Sequence, residues 1–216
     1  LPSQGTKCEI GIGHTLYYPK SGIYDLQFAV SMNTKRGTMG VGVHQTGFEQ
    51  FNETSGVLHY AIELDSSWSI GVTTGLTSSN FYLQQRYLPN LSVGLCKQLN
   101  EQVKLSLGVF SQQFYTLNEN LKRVLYTQWK LGFSYHSLNK QFEAYTSCQY
   151  TDKLVVALCL YYRITEQIHF FVSGRSRPVD YSFGARVKLS GLAVLVGFQY
   201  NPSLGFSPSS VAEYAF

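Results

Sequence analysis

The sequence predicts an all-β fold: a transmembrane antiparallel up-and-down β-barrel of about fourteen strands, with twelve as the alternative count. Three observations predict it. Large apolar side chains alternate with small or polar ones along most of the chain. Only 14% of the 216 residues are charged, whereas a soluble domain averages about a quarter. No apolar run reaches the ~18 residues of a membrane-spanning helix. We interpret residues 1–216 as one domain.

The alternation is clear in residues 24–33, because successive side chains of a strand point to opposite faces. One face carries Tyr24, Leu26, Phe28, Val30 and Met32. The other carries Asp25, Gln27, Ala29, Ser31 and Asn33. Similar segments recur throughout the chain, and the longest apolar run, Leu154–Tyr162, has the length of a strand.

Two architectures produce such alternation, and the polar face distinguishes them. A soluble sandwich or barrel turns its polar face to water, and that face is normally rich in charged residues. In an outer-membrane barrel the apolar face meets lipid and the small or polar face lines the lumen. Here the second face is mostly Gly, Ser, Ala, Thr and Gln, which favours the membrane barrel.

Polar segments of two lengths separate the strands. Short turns are predicted at 33–37, 65–67, 100–102, 137–140, 165–167 and 190–191. Longer loops are predicted at 44–56, 75–90, 111–123, 173–180 and 201–210, with short ones at 18–22 and 150–153. Short turns on one rim and longer loops on the other are typical of membrane barrels, with the short side periplasmic. Six turns and seven loops give fourteen strands and place both chain ends on the periplasmic side.

The segment Val211–Phe216 also alternates and is predicted to be the last strand, paired with the first strand at 8–18. Such pairing removes the open sheet edge that lipid does not tolerate. Tyr214 and Phe216 then lie at the membrane interface, where aromatic rings are favoured. A terminal aromatic residue resembles the signal read by the bacterial barrel-assembly machinery, so we interpret Tyr214 and Phe216 as a barrel-closing signal.

One stretch resembles a known family. The sequence "LAVLVGFQYNPSLGFSPSSVAEYAF" (192–216) is similar to the closing hairpin of FadL-like barrels of the Bacteroidetes group, including the type IX secretion protein PorV and its relatives. The segments "GTMGVGVHQTGFEQFNETSG" (37–56) and "DSSWSIGVTTGLTSSNF" (65–81) resemble the repeated hairpins of that group. The similarity is sharpest at Asn201–Gly205.

Two features of that family have no counterpart in the sequence. About seven residues precede the first predicted strand, so the N-terminal hatch of the fatty-acid transporters is not expected. The early "NPA"-type motif is also missing. The resemblance therefore implies a barrel associated with protein secretion rather than a hatch-gated transporter.

Charged residues on the predicted inner face are the main candidate site. Both signs occur, on strands distributed around the barrel, and buried charges need partners. We expect a lumen polar network that leaves the bore plugged or ligand-filled, with lipid or detergent as one content. Its members are Asp25, Glu63, Lys104, Lys130, Glu143, Arg186 and Lys188.

The predicted loops supply candidate partner contacts. Tyr and Arg are common anchors at protein interfaces, although membrane-interface belts also use Tyr. The candidates are Tyr82, Arg86, Tyr87, Tyr115 and Arg123.

No catalytic or metal-binding pattern is found, so we predict no enzyme activity and no cofactor. The five histidines occur singly, without the spacing of a metal site. His59 and Glu63 share a face but lie about 13 Å apart along a strand. Ser79, His44 and Asp180 lie in or near predicted outer loops, and nothing in the sequence brings them together. Cys8, Cys96, Cys148 and Cys159 leave disulfides an open question.

The composition also bounds function and location. The net charge is +4, and Lys and Arg are scattered, which excludes a nucleic-acid footprint. No secretory leader is visible, and we expect a mature form located in the bacterial outer membrane. The leading hypothesis is a non-enzymatic accessory or scaffold subunit of an outer-membrane secretion or assembly complex. The alternative is a FadL-like transporter or pore for a small solute or hydrophobic compound.

Overall fold

A computed structural model describes residues 7–17, 22–34, 36–48, 51–81, 84–115, 123–203 and 205–216. They form fourteen strands. The strands are β1 (Lys7–Tyr17), β2 (Ile23–Thr34), β3 (Gly37–Phe48), β4 (Phe51–Glu63), β5 (Trp68–Phe81), β6 (Gln84–Gln98), β7 (Val103–Tyr115), β8 (Arg123–His136), β9 (Phe142–Tyr150), β10 (Leu154–Arg163), β11 (Ile168–Ser176), β12 (Val179–Leu189), β13 (Leu192–Asn201) and β14 (Gly205–Ala215). In the described ranges no helix is long and apolar enough to cross a membrane.

The strands close into a single antiparallel up-and-down barrel. Every strand pairs with its chain neighbours, and β14 pairs with β1 from Glu9–Ala215 to Thr15–Ser209. Cys8 and Phe216 extend this seam by exchanging backbone N–H···O hydrogen bonds of 3.1 and 3.0 Å. The predicted count of fourteen and the predicted closure of the barrel are both confirmed.

The burial pattern is the reverse of that in a soluble protein. Large apolar side chains cover the outer surface, such as Trp129 and Leu131, which are 53% and 55% exposed. In the part of the chain that the structure describes, the buried apolar residues are Leu88 and Ala193. A belt of exposed Leu, Val, Phe and Tyr around a closed sheet is the surface that hydrocarbon solvates.

The short turns fall where the sequence predicts them, but the long loops were predicted with bounds that are too wide. Residues 116–122 of the loop predicted at 111–123 lie outside the described residues. Residues 44–48 and 51–56 belong to β3 and β4, and residues 75–81 and 84–90 belong to β5 and β6. Most of 111–115, 173–180 and 205–210 is also strand, so β14 begins at Gly205 rather than Val211. These segments carry polar residues on both faces of the strand, so their composition resembles that of a loop.

The barrel wall differs in height around its circumference. β4–β8 have 13 to 15 residues, whereas β9–β11 have 9 or 10. At about 3.4 Å per residue and a tilt of about 40°, the longest strands rise roughly 15 Å higher. We call the end that carries both chain termini the terminal rim and the opposite end the distal rim.

Candidate functional site

The inner face of the barrel encloses a bore lined mainly by small side chains. A cavity of about 670 Å³ crosses it between β6 and β13. Its hydroxyl lining comes from Ser106, Ser134, Ser147, Ser173 and Ser182. Small side chains at paired positions project only a short distance into the bore, so open space remains inside the barrel.

Asp25 lies in the bore near the distal rim. With 4% of its surface exposed, it is the most buried charged residue of the described bore. Its carboxylate accepts hydrogen bonds from Gln27 Nε2 at 2.9 Å and Thr46 Oγ1 at 2.7 Å. His44 Nε2 lies 2.5 Å from the carboxylate.

A second distal cluster joins β11 to β12. Arg175 donates to Asp180 Oδ2 from Nε at 2.9 Å and from Nη2 at 2.5 Å. Asp180 is buried, and Asn201 is buried beside the same strand, donating to the carbonyl of Val179 at 3.1 Å. The buried polar residues of the described chain lie towards the distal ends of their strands: Asp25, Thr77, Asp180, Asn201 and Ser207.

A third cluster lies towards the terminal rim. Glu143 accepts a hydrogen bond from the Tyr145 hydroxyl at 2.8 Å. The same carboxylate lies 3.7 Å from His136 Nδ1 and 4.0 Å from Arg163 Nη2. Further along the sheet, Arg186 pairs with Glu213 of β14 and so links β12 to the last strand.

An aromatic row lies on the inner wall beside this third cluster. Tyr145, Tyr161 and Phe171 occupy adjacent strands, with ring centroids 5.7 and 5.9 Å apart. A Cβ on Gly184 would lie 2.5 Å from the Phe171 ring, and one on Gly197 would lie 3.0 Å from it. These glycines are required because the Phe171 ring occupies the space of their missing side chains.

The predicted lumen residues do not form one network. Asp25, Glu143 and Arg186 belong to three separate clusters, and each has partners that sequence reasoning did not select. Lys104 lines the central cavity, and the Lys130 ammonium lies 5.8 Å from the Phe110 ring centroid. Glu63 and Lys188 line two cavities near the terminal rim. The role of these seven residues stays a prediction.

Sequence reasoning missed several bore residues. The Arg175–Asp180 pair lay in a predicted loop, and the aromatic row lay in segments where apolar residues occupy both faces. One sequence feature could have identified Tyr145 and Tyr161 as bore residues. Each lies two residues away from a charged residue on the inner face of the same strand.

Of the candidate partner-contact residues, the four that the structure describes all lie in strands. Arg86 and Tyr87 lie within β6, so their placement in a loop was wrong. Tyr115 ends β7 and Arg123 begins β8, while Tyr82 lies outside the described residues. Tyr214 and Phe216 are exposed on the outer surface with ring centroids 5.7 Å apart. Partner contact and assembly signalling stay predictions for these residues.

The three residues considered for catalysis lie in different surroundings. His44 contacts Asp25, Asp180 contacts Arg175, and Ser79 pairs in register with Glu53 and Arg86. In the described part of the chain no three His, Cys, Asp or Glu side chains are grouped to hold a metal ion. The four cysteines are free thiols.

Comparisons with known proteins identify the fold. No protein-family model matches the chain, and no curated protein matches it. The toluene transporter TodX of Pseudomonas putida superposes with a TM-score of 0.66 at 7% identity, over 98% of this chain and 89% of TodX. Omp33 of Acinetobacter baumannii gives 0.66 at 7% identity, over 97% and 98% of the two chains. The KdgM porin, solved with disordered oligogalacturonate, gives 0.56 at 11% identity, over 96% and 99%.

These likenesses establish the architecture alone, since all the identities are low. The chain has the closed antiparallel fold of outer-membrane porins and channels. The resemblance to PorV-like barrels of the Bacteroidetes group stays a prediction.

Proposed function

We propose that the protein is a channel for small solutes in a bacterial outer membrane. The observation that carries this proposal is a closed fourteen-strand wall whose inner positions hold mostly small residues around open space. The diameter of the barrel follows from its strand number. Fourteen strands about 4.8 Å apart and tilted by about 40° give a circular barrel with a backbone-to-backbone diameter of roughly 28 Å. Barrels of eight strands are filled by their side chains, whereas those of sixteen or more enclose aqueous channels.

The outer surface supports the membrane location. The apolar belt runs around the whole sheet, and the ladders between neighbouring strands are continuous behind it. On β6 and β7, for example, nine pairs run from Asn90–Gln112 to Gln98–Lys104. Nine residues of tilted strand are about the minimum that spans a bilayer core. Porins and channels among the similar structures favour the same function.

The accessory-subunit hypothesis depends on short loops, the missing hatch and a family resemblance that is sharpest at Asn201–Gly205, where Asn201 has a structural role. Asn201 Oδ1 accepts a hydrogen bond from the Ser203 amide at 2.9 Å, and its Nδ2 donates to β12. The motif thus supports the last hairpin without requiring a partner. Co-purification of other outer-membrane proteins in mild detergent remains the experiment that would favour a complex.

The native cysteines provide a direct test of the channel. Cys96 pairs with Ser69 and Ser106, and Cys159 pairs with Tyr145 and Ser173, so both face the bore. Directly paired residues of an antiparallel sheet share a face. A positively charged methanethiosulfonate added to single channels in a planar bilayer should therefore lower the conductance in discrete steps.

The controls use the same four cysteines. Cys8 pairs with Met32, and Cys148 pairs with Leu131 and Val156, so both face lipid. The C8S/C148S variant should respond like the natural protein, whereas C96S/C159S should be unaffected by the reagent. A folded barrel that conducts no current in the bilayer would refute the proposed channel.

A further inference from the structure

Two adjacent rows of side chains cross the inner wall near the terminal rim. The outermost row is polar and charged and follows β8–β12: it consists of His136, Glu143, Arg163, His169 and Arg186. Arg163 pairs in register with His169, which pairs in turn with Arg186. Three basic residues therefore lie on three neighbouring strands, with positions about 5 Å apart.

The second row is the aromatic row of Tyr145, Tyr161 and Phe171. Each member lies two residues from a member of the first row on its own strand: Glu143, Arg163 and His169 respectively. The two rows are therefore about 7 Å apart. Tyr145 is 36% exposed although it faces inward, so its ring surface is open to the bore.

Two basic residues of the first row, Arg163 and His169, are incompletely paired, whereas Arg186 pairs with Glu213. Within the described residues, Arg163 Nε and His169 Nε2 are buried and have no hydrogen-bond partner. The contact between Arg163 and Glu143 is 4.0 Å, which is longer than a hydrogen bond. Arg175 differs, because Asp180 occupies two of its donors. A buried polar nitrogen without a hydrogen-bond partner destabilises the barrel. An oxyanion that draws the Arg163 guanidinium towards the bore would recover part of that loss.

We propose that these two rows form a binding site for an aromatic carboxylate. The carboxylate would pair with Arg163, assisted by His169 and Arg186, and the ring would pack against Tyr161 and Phe171. The spacing of the rows is comparable to the length of a benzoate-sized molecule. This inference rests on the proposed function, because it names the class of solute that the channel would carry.

Benzoate binding to the detergent-solubilised barrel, measured by calorimetry, tests the site independently of conduction. Benzoate should bind, and benzamide, which has the same shape without the charge, should bind at least tenfold more weakly. A charge-assisted hydrogen bond is among the strongest polar contacts, so Arg163→Gln should weaken benzoate binding about tenfold. Tyr161→Leu should weaken benzoate binding while leaving acetate binding unchanged.

The matched control is Lys7→Gln, which removes one cation that lines a cavity near the terminal rim, outside both rows. It should bind benzoate like the natural protein. Equal losses in Lys7→Gln and Arg163→Gln would show that only bore charge matters and would overturn the site. If phosphate and acetate bind as tightly as benzoate, the proposed packing of the ligand ring against Tyr161 and Phe171 is overturned. The shifted gel mobility of an unheated barrel establishes that each variant is folded.

The two proposals fail differently. Current in a bilayer without benzoate binding would overturn this site and leave the channel intact. Benzoate binding to a barrel that conducts no current would refute the channel while supporting the site. In a conducting protein, benzoate should reduce the current, and Arg163→Gln should require about tenfold more benzoate for the same reduction.

Discussion

At the scale of single residues, buried charges in the bore are stabilised locally. Asp25 has three hydrogen-bonding neighbours, on β2 and β3 alone. Because the carboxylate is almost completely removed from water, its stability depends on these contacts. The distal end of the bore is thereby held by short-range pairs rather than by a network across the barrel.

Asp25→Ala should destabilise the barrel by about 2 kcal/mol, since it leaves Gln27, Thr46 and His44 without their shared acceptor. Urea unfolding in detergent, followed by tryptophan fluorescence, measures the change. Glu63→Gln is the control, because Glu63 lies at the terminal rim beside an open cavity and is exposed. Equal losses in both variants would contradict the role given to Asp25.

Gly184 shows how a missing side chain shapes the bore. A Cβ at this position would lie 2.3 Å from the carbonyl oxygen of Val196 and 2.5 Å from the Phe171 ring. Gly184→Ala should therefore destabilise the barrel by about 1–3 kcal/mol through overpacking. Gly56→Ala should be nearly neutral, because nothing lies within 4 Å of its added Cβ. Unfolding midpoints of the two variants would test the difference.

Alternation in the sequence assigns some charged residues to the inner face, but it does not identify their partners. Asp25 and Arg186 were assigned to the lumen by alternation alone. Their partners, His44 and Glu213, depend on which strands become neighbours and in what register. Arg186 and Glu213 meet across β13, and only the closed sheet determines that contact.

At the scale of elements, the turns at the terminal rim are built from local hydrogen bonds. Asp65 accepts from the backbone N–H of Ser67 at 2.6 Å and of Trp68 at 2.8 Å. The Ser67 amide, followed by that of Trp68, lowers the pKa of this carboxyl below its usual 3.8. The contribution to turn stability is therefore complete above the usual pKa and is lost as pH falls through the lowered value.

Acidification should release this turn at a pH below the ordinary aspartate pKa. The amide proton resonances of Ser67 and Trp68, followed by NMR in micelles, should shift together in that range. Asp65→Asn retains a side-chain acceptor but has no titrating group, so its resonances should not shift there. A transition at the ordinary aspartate pKa would contradict the assignment.

The strand ladders determine where proline is tolerated. Pro89 of β6 pairs with Leu76 of β5, and the ladder from β6 to β7 begins at the next residue, Asn90. Val93 pairs with both Val72 and Val109 behind the apolar belt. A proline there would remove a hydrogen bond where no water can replace it.

Val93→Pro should therefore prevent folding into detergent or vesicles, whereas Pro89→Ala should fold normally. The fraction of protein with the mobility of a folded barrel in unheated gels measures both outcomes. Normal folding of Val93→Pro would show that this part of the β6–β7 ladder lies outside the membrane.

The prediction of the loops failed for a physical reason at this same scale. Alternation identifies a strand only where its two faces meet different surroundings. Where β3–β6 rise towards the distal rim, Gln45, Thr54 and Thr74 lie on the outer face. Water on both sides of the sheet removes the contrast, so a strand there has the composition of a loop.

At the scale of the whole molecule, the fold follows from the assignment of the two faces. The apolar side chains meet the outside and the small ones meet the bore, so barrel closure and strand number could be predicted without any knowledge of side-chain contacts. The proposed channel and its proposed solute depend on the inner face, where few residues distinguish one barrel from another. The fold was therefore predictable to a far greater extent than the site.

This arrangement predicts that an introduced arginine destabilises the barrel strongly on the outer face and only weakly on the inner face of neighbouring strands. Leu131 is on the outer face of β8, and a charge at the membrane mid-plane costs about 2–4 kcal/mol. Leu131→Arg should destabilise the barrel by that amount in lipid vesicles. Ser147 of β9 lines the central cavity beside Gly132, so Ser147→Arg should lose less than about 1 kcal/mol because its guanidinium reaches water in the bore. Unfolding by guanidinium chloride measures both. A larger loss for Ser147→Arg than for Leu131→Arg would mean that the apolar face is the inner one.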